Sequence, residues 1–257
     1  MEDRVVTQHS TSAVVTVAVS LLLAACTHDT PTAPPLWDDN DHTTIRWIPN
    51  PAADLMSPEG TFIRAATESW RRAWIGQGRG MDAIKSAGYP GFDHAFNAPD
   101  NRWAPEEVGG HSRRTQLLVG TRYSEVVELK REGLNFKAAI CDYTSQVAGQ
   151  QQGGQYESAG SASLGSGVWL TFGPDPKLPA EQQHSPLTHQ KGPDEHPTDN
   201  VFGTWVMFDY APVPATTLPQ CNKLAPGTPN NWPNPYVRSD PPSTLPPDPG
   251  WPEGSKA

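Results

Sequence analysis

Leu134–Tyr143 reads LNFKAAICDY, and its alternation decides the fold class. Leu134, Phe136, Ala138 and Ile140 fall on one face of an extended chain, and Asn135, Lys137, Ala139 and Cys141 on the other. That period of two marks a strand with one buried side. Upstream, Glu132-Gly133 supplies a tight turn, so Arg122–Lys130 is expected as the antiparallel partner. Downstream, Val168–Phe172 and Val201–Asp209 are strand-like. Val168, Leu170 and Phe172 face one way, and Phe202, Val206 and Phe208 are expected to do the same. Residues 145–166 are rich in Gly, Ser and Gln, and 174–199 contain six prolines; both are expected as mobile loops.

Ahead of the strands the period is that of a helix. Ser57-Pro58-Glu59 offers an N-cap, a proline at the first helical position and an acid in the first turn. Phe62, Ala66, Trp70, Ala73 and Trp74 then recur at three- and four-residue spacings, with Arg64, Glu68, Arg71 and Arg72 elsewhere. Gly76, Gly78 and Gly80 end the helix; this G-x-G-x-G follows a helix instead of a strand, so it reads as a turn and not as a dinucleotide loop. Shorter helices are expected at Met81–Ala87 and Phe92–Asn97. The order predicts an α+β fold, with N-terminal helices packed on a curved antiparallel sheet. The first helix lies across the concave face and buries Phe62, Trp70 and Trp74 there, each contributing about 2–3 kcal/mol before entropy.

The flanks differ from this centre. The chain has 22 glycines and 28 prolines, about a fifth of its length against a usual ~12%. Ala13–Ala25, AVVTVAVSLLLAA, is too short to span a bilayer but suits the apolar core of a signal peptide. It ends in Leu23-Ala24-Ala25-Cys26, which resembles a bacterial lipobox. That resemblance implies a signal peptide over 1–25, lipidation of Cys26 and anchoring at the outer face of the cell membrane. With no Arg-Arg pair ahead of the apolar run, Sec-type export is expected. Residues 26–54, with THDTPTAPPLWDDNDH following Cys26, read as a tether. From Pro212 to 257 the chain is a proline-rich, extended tail.

Nineteen Lys and Arg stand against 28 Asp and Glu, a net charge of −9. Such acidity argues against a nucleic-acid partner and leaves no polybasic membrane patch. With Cys26 lipidated, Cys141 and Cys221 remain. In an oxidising compartment they are expected to pair, closing a loop of about 80 residues. Cys141 lies on the strand face opposite Phe136 and Ile140, so the bridge is expected to pin the tail across the outer face of the sheet.

The element order, the Trp-bearing first helix and the strands FKAAICDY and WVMFDY resemble the NTF2-like (cystatin-like cone) domains of actinobacterial, especially mycobacterial, secreted lipoproteins, over roughly 55–210. The resemblance implies a conical pocket between helix and sheet, lined in the enzymatic members by an Asp or His and a Tyr. The candidates here are Tyr89, Asp93, His94, Asp142 and Tyr143. Asp93, His94 or Asp142 would supply acid–base groups to an isomerase- or dehydratase-like enzyme, but an exposed short helix and a strand end account for them equally. No cofactor is expected. His184, His189 and His196, with Asp194 and Glu195, lie in a proline-rich loop without H-E-x-x-H spacing and read as solvated, not as a metal site. Arg71-Arg72 and Arg113-Arg114 read as solvated faces. Trp37, Trp47, Trp103, Trp232 and Trp251 lie outside the expected elements and are expected to pack the flanks onto a small core. The expectation is a monomeric, lipid-anchored envelope protein that binds a partner protein or small apolar ligand. A pocket enzyme and a structural subunit of an envelope complex are the alternatives.

Overall fold

The computed structural model describes residues 40–254, apart from 77, 99–100, 111–115 and 215. Residues 1–25, expected as a signal peptide, Cys26, Trp37 and Arg113-Arg114 lie outside the described residues. Among those described, no helix is long and apolar enough to cross a membrane.

The described residues form an α+β fold, an eight-stranded, mainly antiparallel sheet with three α-helices. It opens with strand β1 (Asp41–Ile48), followed by α1 (Pro58–Ile75), α2 (Met81–Ala87) and α3 (Phe92–Phe96). Then come β2 (Leu118–Glu132), β3 (Asn135–Tyr143), β4 (Val147–Gln150), β5 (Tyr156–Ser158), β6 (Ser166–Pro174), β7 (Trp205–Val213) and β8 (Tyr236–Arg238). The helices therefore do not begin the fold. Residues 41–48, expected within the tether, form β1 and pair in parallel with Leu118–Glu125. Thr43, Thr44, Ile45 and Ile48 are β-branched and Trp47 is buried, which suits a strand better than the neighbouring prolines suggested. Long β2 takes β1 along one edge; the other edge is shared by β3 and β4. Residues 145–166, expected as a loop, contain β4 and β5.

The hairpin at Glu132-Gly133 forms as expected, but its two-residue loop is Gly133-Leu134. Gly133 adopts φ +67°, and Leu134, expected on the buried face, is 73% exposed. A bulge at Val127 then changes the phase of β2, so that Ser124 faces Asp142 across the ladder. A second bulge, between Thr171 and Phe172, opposes Asp209 and Met207 to them. As a result Trp205, Met207 and Tyr210 reach the core cluster, instead of the expected Val206 and Phe208.

Helix α1 is capped as its sequence requires: Gly60 N–H donates to Ser57 Oγ at 3.1 Å, and Gly76 N–H closes the last turn on the Arg72 carbonyl. Phe62, Ile63, Ala66 and Trp70 meet Val126, Ala138, Ile140, Leu170 and Phe172, with Phe62 stacked on Phe172 at 4.7 Å. The side of α1 carrying Arg64 and Glu68 is buried too, because the C-terminal segment crosses it. Arg64 donates to the carbonyls of Gln190 (2.6 Å), Pro249 (2.8 Å) and Gly250 (2.9 Å), and lies over the Trp251 ring. The same segment lines β1: Thr44 Oγ1 donates to Leu245 O, Arg46 to Pro246 O, and Trp47 N–H to Asp248 O. What read as a tail thus completes the core with Trp251, 1% exposed. The stretch 174–199 is irregular but stitched down, through His189 N–H to Met56 O and paired bonds between Asp194 and Trp251.

On the outer face, Cys141 and Cys221 are joined as expected. Leu218, Cys221 and Ala225 pack on Ala139, Cys141 and Tyr143. Beside them Glu125 accepts from Asn50 Nδ2 (2.8 Å), Tyr143 Oη (2.8 Å) and Lys223 Nζ (2.7 Å). Burial pushes the Glu125 carboxyl up, but these donors outweigh it and hold the pKa below its ordinary 4.5. A carboxylate lowered on folding adds stability that is present above its unfolded pKa and lost as pH falls through the folded value. The urea midpoint is therefore expected to drop on acidification below about pH 4.5, with Lys223→Met reducing that drop. Equal drops in the two proteins would mean that Lys223 does not hold the carboxylate.

Candidate functional site

A cavity of about 560 Å³ lies between α1 and the face of the sheet that α1 covers. The spacing that makes α1 amphipathic places Trp70 and Trp74 on one wall, where their rings stack at 5.4 Å. Trp103 extends this wall. Its ring meets Trp74 edge-on at 5.3 Å, and its Nε1–H donates to the Tyr210 carbonyl at 2.7 Å, tying the segment after α3 to β7. Tyr210 packs 5.0 Å from Trp70. The opposite side is made by Ile140, Val168, Pro212 and Val213.

Much of the polar lining comes from β2 and β3. Arg122 Nη1 donates to Asp142 Oδ2 in an ion pair whose two side chains are mostly buried. The bulge at Val127 makes this pair possible by turning Arg122 and Ser124 to the face that carries Asp142. Arg71, on the α1 side, is paired with Asp41 and donates to Thr43 Oγ1 at 2.9 Å. Burial pushes the Asp41 carboxyl up, but Arg71 and Thr43 more than offset this and hold it low. The Tyr210 hydroxyl is pushed above the usual phenol range, first by burial and then by the charge of Asp142, so it stays protonated.

Of the five pocket candidates read from sequence, Tyr89, Asp93, His94, Asp142 and Tyr143, only Asp142 lines this cavity. His94 sits on α3 with Nε2 3.3 Å from the Thr204 carbonyl and 3.6 Å from Asp175 Oδ2; Asp93, beside it, is half-buried. Tyr143 points to the outer face, towards Glu125. Tyr89 belongs to a separate buried centre. Its hydroxyl donates to Glu68 Oε2 (2.6 Å), and Glu68 also accepts from Trp47 Nε1 (2.7 Å) and Trp251 Nε1 (2.9 Å). Burial, and next the Glu68 charge, push the Tyr89 phenol far up. Burial also lowers the neighbouring Arg72 guanidinium to about 10, with Tyr89 and Glu68 opposing. This chamber has room for about 70 Å³, and its polar groups tie α1, β1 and the C-terminal segment together. Arg71 and Arg72, expected on a solvated face, are thus built into the interior.

Among the described residues, no group of three or more His, Cys, Asp or Glu is placed to hold a metal. The histidine-rich stretch contributes His196, which packs 6.4 Å from the Tyr89 ring, and the Glu195 carbonyl, which accepts from Tyr89 Oη at 3.1 Å. The sequence reading gave Arg122 and Tyr210 no site role; Trp103, singled out there as an aromatic outside the elements and expected to pack a flank, lines the cavity. The arrangement as a whole can enclose an apolar molecule against indole faces and meet a polar group at the ion pair. Comparison with family models, with curated protein sequences and with solved structures finds no match.

Proposed function

We propose that this chain is an exported lipoprotein, anchored through Cys26 at the outer face of the cell membrane, whose NTF2-like domain binds a small apolar ligand without chemistry. The observation that carries the binding reading is the open, indole-walled cavity, of a size that suits small-molecule ligands. Among the described residues its one carboxylate, Asp142, is engaged by Arg122, and no described histidine lines it, which favours binding over acid–base work. Support for the NTF2-like reading comes from α1 lying over the face of an antiparallel sheet bent by bulges; β1 is an addition to that pattern. Support for a monomer comes from the outer face, which the disulfide-pinned segment 218–225 covers. Light scattering that finds a dimer closed through this face would overturn the monomer.

Two experiments test the core of the reading. Nile red, neutral and apolar, is expected to bind with a blue-shifted emission, and Ser166→Trp, at the cavity lining, to abolish that binding while the fold persists by circular dichroism. Unchanged binding in the variant places the dye elsewhere and sinks the assignment. Intact-mass spectrometry of the native membrane fraction is expected to find residues 26–257 carrying a diacylglyceryl group. A species that keeps 1–25 and has no lipid refutes the anchor.

A further inference from the structure

The charges around the cavity cancel inside the protein. Among the described residues, three charged side chains line it, Arg71, Arg122 and Asp142. Arg122 is neutralised by Asp142, and Arg71 by Asp41. A ligand carboxylate or ammonium entering here meets no uncompensated partner; it must give up its own hydration or break one of the two pairs. A polar but uncharged group meets no such barrier. Asp142 Oδ1 and Arg122 Nε, an acceptor and a donor of the same pair, are buried and make no hydrogen bond, and neither does Thr67 Oγ1 on the α1 side. A hydroxyl both donates and accepts, so a small shift of the pair onto it satisfies atoms that are now unmet.

The apolar wall selects shape as well. Trp70, Trp74 and Trp103 lie in mutual ring contact at 5.3 to 5.4 Å, and Tyr210 adds to Trp70 at 5.0 Å, a continuous aromatic surface and not a flexible aliphatic one. Such a wall is matched by flat rings, whose faces and edges pack against indoles in defined geometry. A single acyl chain gains area there but none of this geometry.

We infer that the ligand is an uncharged, flat ring compound bearing a hydroxyl, an aromatic or fused-ring alcohol, with its ring on the indole wall and its hydroxyl at the Arg122–Asp142 pair. This rests on the reading of the cavity as a ligand site. The test is titration calorimetry at pH 7 on residues 26–257 with Cys26→Ser, so that no acyl chain competes. The probes are 2-naphthol, 2-naphthoate and 2-naphthylmethylammonium, which share one ring system and differ in charge. Naphthol is expected to bind ~10-fold or more tightly than either ion, the scale of leaving one charge uncompensated. Asp142→Asn exposes the charge of Arg122 and is expected to move the preference towards naphthoate.

A wild-type ranking with either ion first overturns the inference and leaves the cavity a ligand site. Nile red binding without any naphthyl probe also overturns the inference. Failure of both Nile red and naphthol overturns the binding reading itself. Should Asp142→Asn not fold, the wild-type ranking decides alone.

Discussion

Replacing Trp251 by alanine is expected to cost about 3–5 kcal/mol of stability and to lower the melting temperature by on the order of 10 °C for a domain of this size. Three roles converge on this one residue. Its ring is among the largest fully buried side chains and packs edge-on to Tyr89 at 5.6 Å. The ring also carries the Arg64 guanidinium 4.2 Å above its centre. Its Nε1–H donates to Glu68, and its backbone exchanges two bonds with Asp194. Truncation therefore leaves a large void and removes one of the donors that solvate a buried carboxylate. Trp251→Phe separates the two, since it keeps a ring in place but removes the N–H; about 1.5–3 kcal/mol is expected from the lost bond to a charged acceptor. Trp232, half-buried and stacked on Tyr236, is the control, with an expected cost of about 1 kcal/mol. Urea unfolding of the three variants decides the matter. A Trp251→Ala cost near that of Trp232→Ala would return residues 245–254 to the status of a tail.

That segment also shows where sequence reading stops. Periodicity found α1, the β2–β3 hairpin and the strand centres of β6 and β7, because each buries one face against a single opposing layer. It misjudged the other side of α1, since Arg64 and Glu68 are polar and a helix pattern places such residues in water. Here they are buried because backbone carbonyls at 190, 249 and 250 and two indole N–H groups serve as their solvent. Those partners lie up to 186 residues away along the chain, and no local pattern encodes them. The C-terminal prolines hid the same contacts, because an extended, proline-rich chain looks alike whether it is free in water or laid along β1.

The candidate site was half legible for a different reason. Asp142 stood out as a strand-end acid, but its partner did not. A register counted back from the Glu132–Asn135 turn without interruption pairs Asp142 with Glu125 and turns Arg122 to the far face. The bulge at Val127 inserts one residue, moves Glu125 to the outer face beside Tyr143, and brings Arg122 within reach of Asp142. One unpaired residue thus decides both the ion pair in the cavity and the carboxylate cluster behind the sheet. The disulfide, by contrast, needed only counting of cysteines and the side of β3 on which Cys141 falls.

Replacing Cys141 and Cys221 together by alanine is expected to lower stability by about 4.5 kcal/mol, the chain-entropy value for a loop of this length. The contacts beside the bridge are expected to persist without it: Leu218 and Ala225 pack on Ala139 and Tyr143, Ser145 Oγ accepts from Ala225 N–H at 2.9 Å, and Lys223 meets Glu125. The loss therefore falls on the unfolded chain, which regains the freedom of a segment spanning β6 and β7. Two signatures follow. Near-ultraviolet circular dichroism and Nile red binding of the folded variant are expected to match the parent, while the urea m-value rises because the unlinked chain exposes more surface on unfolding. An unchanged m-value with an altered native spectrum would show instead that the bridge holds the outer-face segment in place, and the packing of Leu218 and Ala225 would then be its consequence. In a reducing compartment the same 4.5 kcal/mol or so is forfeited, which makes the midpoint shift on reduction a measure of how far this fold depends on the export proposed for it.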